Sequence, residues 1–501
     1  MSKRKIAEVS VDDTISKSGS DIETKQFAKD QNVPKIMDNR SRYCPYLDTI
    51  NRGLLDFDFE KLCSISLSKI NVYACLVCGK YFQGRGIGTH AYMHSVSCGH
   101  HVFLNLNTLK FYCLPDNYQI IDSSLDDIIY VLKPTFTSAE IKKLSSNDKL
   151  SIAFDGTSYL PGIVGLNNIK QNDYCNVILH AMSHVSKIRS YFLTESHSET
   201  FKLISDPYSS LLLQRFAELL RKLWNPKNFK AHVSPHEMLQ AVVLSSKKRF
   251  QITKQGDPIE FLSWLLNAVN LALRKIKKDE ASIIYKTFRG SMKTFTRKVI
   301  PIDKSIEEKL ELMEDEEYAE KCEDSKFLYL TLDLPPTPLF RDEMSESIIP
   351  QVPISRLLAK FDGVSEKEYK TYKDSYLKRF VITKFPKFLI LYIKRFTRNT
   401  FFLEKNPTIV NFPIKNVDLT ELYYQDSETK NNEGGEERIS YDLIANIVHD
   451  GQPESGKGTY RIHLLHKGTG KWFEIQDLHV TEILPQMITL SEAYIQIWER
   501  Q

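Results

Sequence analysis

The segment Gly165-Leu166-Asn167-Asn168-Ile169-Lys170-Gln171-Asn172-Asp173-Tyr174-Cys175-Asn176 constrains the fold of this chain most tightly. Its glycine and asparagines suit a tight loop. Val177, Ile178, Leu179 and Met182 follow with the apolar spacing of a buried helix that starts near Asp173. A side chain at such a start sits in the positive field of the aligned peptide dipoles, where a cysteine would be activated as its thiolate. Asp173 is expected instead to be a helix-capping anion. Its carboxylate is a poor nucleophile toward an amide, because the product would be a high-energy anhydride.

The remaining composition fits a folded chain with more than one unit. At 501 residues the length suggests about two to four domains, and 42% hydrophobic residues are ample for a sizeable core. A formal net charge of only +4 implies neither a nucleic-acid-coating protein nor an acidic tail. No apolar run reaches the roughly 18 residues needed to span a membrane, and Ser2-Lys3-Arg4-Lys5 leads into no signal-like apolar stretch. Six of the eight cysteines precede residue 114, which reads as a local metal site rather than a secreted disulfide framework.

That site is Cys75-Leu76-Val77-Cys78 with His94 and His100. A Cys-x2-Cys turn aims two thiolates at one ion, and two histidines complete a sulfur-and-nitrogen set suited to one structural Zn2+. The spacing alone fits a nucleic-acid-binding Cys2His2 finger almost as well.

Four landmarks in chain order resemble those of the ubiquitin-specific proteases. The Gly165–Asn176 segment resembles their cysteine box, with Asn168 on the oxyanion-hole asparagine, Lys170 on a loop glycine and Asp173 on the nucleophile. Gln255-Gly256-Asp257-Pro258-Ile259-Glu260-Phe261-Leu262 resembles the helix that follows, and the stretch ending Ile393-Lys394-Arg395-Phe396 resembles a family strand. Tyr441 to Gly451 opens the histidine box, where the base position holds Thr459 within Gly458-Thr459-Tyr460. Trp472-Phe473-Glu474-Ile475-Gln476 puts Gln476 at the orienting position. All three triad positions, Asp173, Thr459 and Gln476, are thus replaced, and the resemblance implies no catalytic residue. Thiol catalysis needs a thiolate, a base titrating near neutrality and a group that orients it. Cys175 is no substitute, because two residues along a helix turn its side chain about 200° away. His449, His463 and His466 lie outside the Gly-x-Tyr slot.

The cysteine-rich part resembles the ubiquitin-binding zinc finger that accompanies many of these proteases, through Gly84-Arg85-Gly86, His90, His94 and His100. Of three family zinc sets, only Cys75, Cys78, His94 and His100 is intact. The second falls on Cys63, Ser66, Gln83 and His90, and the third on Cys44, Tyr46, Cys113 and Asp116; both are broken, so their cysteines read as core thiols. Arg85 of the family's tail pocket remains, but Tyr73, Tyr112 and Leu114 replace its usual aromatics. The fingers metal of many relatives is also missing, since their region here holds only Cys322.

The resemblance therefore implies an α+β, papain-like ubiquitin-specific protease fold of palm, thumb and fingers, preceded by a small zinc-finger domain. The expected divisions are a disordered tail over 1–40, a UBP-type zinc finger over 41–140, a linker over 141–160 and an inactive protease-like domain over 161–501. Thr137-Ser138-Ala139-Glu140 predicts a capping box opening a linker helix. The acidic stretch Glu307 to Asp324 has helical character and is expected to be a solvated face or a mobile loop, and Gln425 to Arg438 to be a disordered loop. One branch fits better than the family average through Asn172-Asp173-Tyr174, Ala231 to Gln240, Asn406 to Pro413 and Leu484 to Ser491. It is the inactive branch found in the spliceosomal tri-snRNP, which implies a nuclear, non-catalytic scaffold for pre-mRNA splicing with tri-snRNP proteins as partners. Two alternatives stay open: a receptor for ubiquitin or a ubiquitin-like protein, and an active deubiquitinase with a relocated triad.

Overall fold

The computed structural model describes residues 40–41, 43–276, 281–300, 315–336, 349–370, 374–398, 403–423 and 438–501. The expected tail over 1–39 and the loop over 425–437 lie outside the described residues. The amino-terminal module is a six-stranded sheet carrying the helix His90–Cys98 beside the strands Val72–Cys75 and Tyr81–Gln83, and a second helix, Asp126–Leu132, adds Ile128 and Leu132 to its core. Its core is small, built on Val72, Leu104, Phe111, Ile120 and Ile128. The capping box forms as the sequence predicts: Glu140 N–H donates to Thr137 Oγ1 at 3.3 Å and Thr137 N–H to Glu140 Oε2 at 2.7 Å, opening the helix Ser138–Lys143.

The larger part packs helices against an eight-stranded sheet. Strands Leu330–Asp333, Phe388–Lys394, Ala493–Arg500, Ser440–Gly451, Gly458–His466, Lys471–Gln476 and His479–Ile483 follow one another in space, and Val417–Asp418 joins at Ser440–Gly451. Apart from the parallel pair Leu330–Asp333 and Phe388–Lys394, the path is antiparallel. The central strands are apolar on both faces because helices cover one side and a second core covers the other. A separate four-stranded sheet, ordered Lys321–Phe327, Gly290–Lys298, Ser375–Lys384, Lys367–Lys370, stands in the expected fingers region. Here the helical expectation fails at its described end. Residues 321 to 324 belong to a strand, with Cys322 exposed opposite Phe295, because pairing with Gly290–Lys298 outweighs the local helical preference of the acidic residues.

The helix Asp173–His184 is buried on every face and lies between the helices and the strand Gly458–His466. The long helices Pro207–Leu223 and Pro258–Arg274 begin alike, with proline first and Asp206 or Asp257 accepting from the second residue's N–H.

The two parts are clamped together by carboxylates of the loop before the metal knuckle. Lys222 Nζ donates to Asp58 Oδ1 at 2.7 Å, Ser234 N–H to Asp58 Oδ2 at 2.8 Å, and Lys230 Nζ to Asp56 Oδ2 at 2.6 Å.

Candidate functional site

Asp173 sits at the first turn of its helix, but it is not the cap. Asn172 occupies that position, its Oδ1 accepting from Ile169 N–H at 2.7 Å and its Nδ2 donating to Asn176 Oδ1 at 3.0 Å. The Asp173 carboxylate turns across the cleft instead. Its Oδ2 accepts from Gln255 Nε2 at 2.7 Å and from Tyr460 N–H at 3.0 Å, while Oδ1 has no partner. Only 4% of the residue is exposed.

Gln255 is the hub that seals this arrangement. Besides Asp173 it donates to Gly458 O at 2.9 Å, and its Oε1 accepts from Gly456 N–H at 2.7 Å. Its backbone carbonyl accepts from Ser455 Oγ at 3.0 Å, so the loop before Gly458 is pinned beside the helix start. Gly458 itself admits no side chain, since a Cβ there would stand 2.2 Å from His449 Nε2. The sequence had placed Gln255 in a family motif without a role; its polarity between Lys254 and Gly256 carried no further signal.

Thr459 and Gln476, the other two positions expected to be replaced, meet at the same cleft. Strand alternation leaves Thr459 exposed and Tyr460 buried, and Gln476 Nε2 approaches Thr459 Oγ1 at a loose 3.5 Å. Asn168 is occupied too: its Oδ1 accepts from Asn172 N–H at 3.1 Å and its Nδ2 donates to Asp477 Oδ2 at 3.1 Å. The amide that would polarise a carbonyl is thus committed to a neighbouring carboxylate.

The candidates for a relocated triad are all enclosed. Cys175 is 1% exposed within the core, and burial pushes its thiol far above the usual range. His449 packs against Phe396 and Tyr460, and burial lowers its pKa to about 4. His463 is spent on Glu474 at 3.0 Å and His466 on Thr469 at 3.0 Å.

Burial raises the Asp173 carboxyl above its usual value, outweighing the hydrogen bonds from Tyr460 and Gln255 that lower it. The folded state therefore holds this proton more tightly than the unfolded chain does. Asp173 lowers stability increasingly as pH rises from the unfolded value through the folded one, and the penalty is complete only above the folded value. Asp173→Asn is expected to melt at or above the wild-type temperature at about pH 7.5, with the difference shrinking toward about pH 5. Scanning fluorimetry at both pH values measures this; a variant that melts lower at the higher pH refutes it.

In the amino-terminal module the second cluster assembles. Cys75 Sγ lies 3.5 Å from His100 Nδ1, Cys78 Sγ 3.4 Å from His94 Nε2, and the two ring nitrogens 3.0 Å apart. The four ligand atoms all fall within 4.8 Å of one another. A tetrahedral zinc with ordinary bond lengths requires ligand separations of ~3.3–3.8 Å; both sulfur–nitrogen distances fall in that range and the two ring nitrogens stand a few tenths of an ångström closer, so the donor set fits a metal ion after a small spreading of the histidines. Among the described residues this is the one such cluster of three or more donors. At the second family set, Ser66 Oγ donates to Gln83 Oε1 at 2.9 Å and Ser66 N–H to Cys63 Sγ at 3.4 Å, so hydrogen bonds stand where a metal would. At the third, Cys44 and Cys113 are buried, and Tyr46 stacks on His101 at 3.9 Å. Arg85 lies over the Tyr112 ring at 4.3 Å and donates to Asn117 Oδ1, which ties up the arginine of the family's tail pocket.

Comparisons with known proteins agree with this architecture. The family model described as ubiquitin carboxyl-terminal hydrolase matches residues 164–498, and that of the Zn-finger in ubiquitin-hydrolases and other proteins matches 63–125. Human ubiquitin carboxyl-terminal hydrolase 39 is 64% identical over 464 residues, covering 93% of this chain and 81% of the relative. The pre-mRNA-splicing factor SAD1 of Saccharomyces cerevisiae is 32% identical over 487 residues, covering 94% and 97%. A crystal structure of an essential yeast splicing factor superposes with a TM-score of 0.70 at 30% identity, over 91% of this chain and 99% of that one. Ubp8 in the SAGA deubiquitinating module bound to ubiquitin aldehyde shares the fold, with a TM-score of 0.52 at 18% identity over 90% and 91%. The chain has the α+β ubiquitin-specific protease fold with an amino-terminal UBP-type finger carrying a Cys/His cluster, and it belongs to the ubiquitin carboxyl-terminal hydrolase family, in the branch of ubiquitin carboxyl-terminal hydrolase 39 and SAD1.

Proposed function

We propose that this chain is a nuclear, non-catalytic scaffold of pre-mRNA splicing that helps assemble or maintain the spliceosomal tri-snRNP. Kinship with a splicing factor supports the splicing role. The observation that carries the loss of catalysis is the sealed cleft: Asp173 stands in the nucleophile position, buried and held by Gln255 and Tyr460 N–H, with Thr459 and Gln476 beside it. Threonine takes no proton at neutral pH and glutamine has no charge to stabilise an imidazolium, so neither base nor orienting group is available. Zinc held by Cys75, Cys78, His94 and His100 serves the fold by cross-linking the knuckle to the helix.

Two measurements test this reading. Purified protein is expected to hydrolyse a fluorogenic ubiquitin amide no faster than buffer, with Cys175→Ala unchanged and Asp173→Cys still inactive for lack of a base. Turnover that disappears in Cys175→Ala, or appears in Asp173→Cys, overturns the non-catalytic reading. Affinity purification is expected to recover tri-snRNP proteins; recovery of ubiquitin conjugates in their place favours the receptor alternative.

A further inference from the structure

Away from the cleft, three helices of the protease-like domain leave an open groove of about 1210 Å³ that the function above does not use. It lies between the start of Pro207–Leu223, the end of His236–Ser245 and the outer face of Pro258–Arg274. Along that outer face Trp264, Ala268 and Leu271 recur at helical spacing and line the groove, with Leu212 and Val243 opposite. Tyr208, Leu244 and Leu271 stay about half exposed, at 54%, 48% and 58%. Apolar side chains gathered in one concavity differ from the scattered exposed leucines of an ordinary surface.

The rim is basic. Lys247, Lys248, Arg274 and Lys275 border the groove, and only Lys275 is neutralised, by Asp206 at 2.8 Å. The charged ends of Lys247, Lys248 and Arg274 have no hydrogen-bond or ion-pair partner among the described residues. Position at two helix ends accounts for some positive charge there. It also accounts for the backbone of Lys247 and Lys248, whose positive φ values of 53° and 65° close the end of the helix His236–Ser245, Lys248 N–H donating to Val243 O at 2.8 Å.

We propose that this groove is a docking site for an acidic amphipathic helical segment of a partner protein. The apolar floor takes the hydrophobic stripe of such a helix, and the unpaired cations face its flanking carboxylates, the helix-in-groove mode of recognition. A single-stranded RNA fits less well, because stacking uses successive exposed rings, whereas Tyr208 is the one largely exposed ring on this lining and Trp264 is half-buried against Phe250 and Phe261. A symmetric second copy would set the same lysines against each other.

The full-length chain is to be titrated into a fluorescein-labelled peptide of about 18 residues, with leucines at helical spacing and glutamates elsewhere. Saturable binding is expected, weakening at least about tenfold for a scrambled isomer, for Leu271→Glu and for the double variant K247E/K248E, and weakening as salt is raised. These positions are exposed, and circular dichroism checks that each variant is folded. Benzoylphenylalanine at position 271 in a splicing-competent nuclear extract is expected to crosslink to an acidic segment with apolar residues at helical spacing. The synthetic form of that segment must lose affinity in the same variants. No binding of the designed peptide together with no acidic crosslink overturns the proposal. So do equal affinities in the variants or for the scrambled isomer, crosslinking to RNA, and concentration-dependent self-association abolished by Leu271→Glu.

Discussion

Replacing Cys78 with serine is expected to release the metal and unfold the amino-terminal module, the largest effect of any single substitution considered for this chain. The strands Val72–Cys75 and Tyr81–Gln83 are four and three residues long, and the nine-residue helix His90–Cys98 buries only Ala91 and Ser95. That helix is tied to the sheet by His94, stacked on Phe82 at 4.1 Å, by the packing of Ala91 and by Ser95 Oγ, which donates to Leu114 O at 2.7 Å. A core of this size rarely supports a fold by itself, whereas a structural zinc contributes about 10–16 kcal/mol in finger peptides. Elemental analysis should give one zinc per wild-type chain and none in Cys78→Ser, with loss of near-ultraviolet dichroism. Cys98→Ser, which changes an exposed thiol at the end of the same helix, should keep the metal. Three zincs per chain, or full zinc in Cys78→Ser, would refute the ligand set.

What the sequence made legible was local or forced by chemistry. The metal cluster could be found because ligation demands particular residue types at short spacing. The Thr137–Glu140 box could be found because both hydrogen bonds close within one turn. The start of the buried helix was legible to within a residue. The N-cap position fell on Asn172 rather than Asp173, and the Asn172 side chain bonds Ile169 N–H and Asn176 instead of capping the helix, a choice set by the loop's own geometry. Family motifs placed Asp173, Thr459 and Gln476, yet not the Gln255 hub that joins helix and loop. Nor did the pattern expose the basic groove, which exists only when three helices distant in sequence converge. The acidic stretch misled for the same reason: its partner strand lies about 30 residues away, and register is a tertiary property.

Asp58→Ala is expected to cost about 3–5 kcal/mol, because it leaves the Lys222 ammonium buried without its partner. Burial of Lys222 disfavours its charge, but Asp58, with Glu237 and Glu218 beyond it, more than restores it and raises the pKa overall. Side-chain exposures of 13% for Lys222 and 19% for Asp58 leave little water to take over. The substitution also strands Ser234 N–H, which otherwise donates to the second Asp58 oxygen. Asp58→Asn keeps an acceptor for that group while removing the charge, so it should fall between wild type and alanine. Because the pair joins two parts of the chain 164 residues apart, the loss should appear as separation of the module rather than general loosening. Two thermal transitions in place of one, and faster proteolysis between residues 126 and 160, are the readouts. Lys222→Met combined with Asp58→Ala should recover part of the loss, since no unpaired charge then remains buried. A single undisturbed transition in Asp58→Ala would mean that the two parts hold together through apolar contacts such as Phe229 packed among the buried residues of the module, and that the ion pair is incidental.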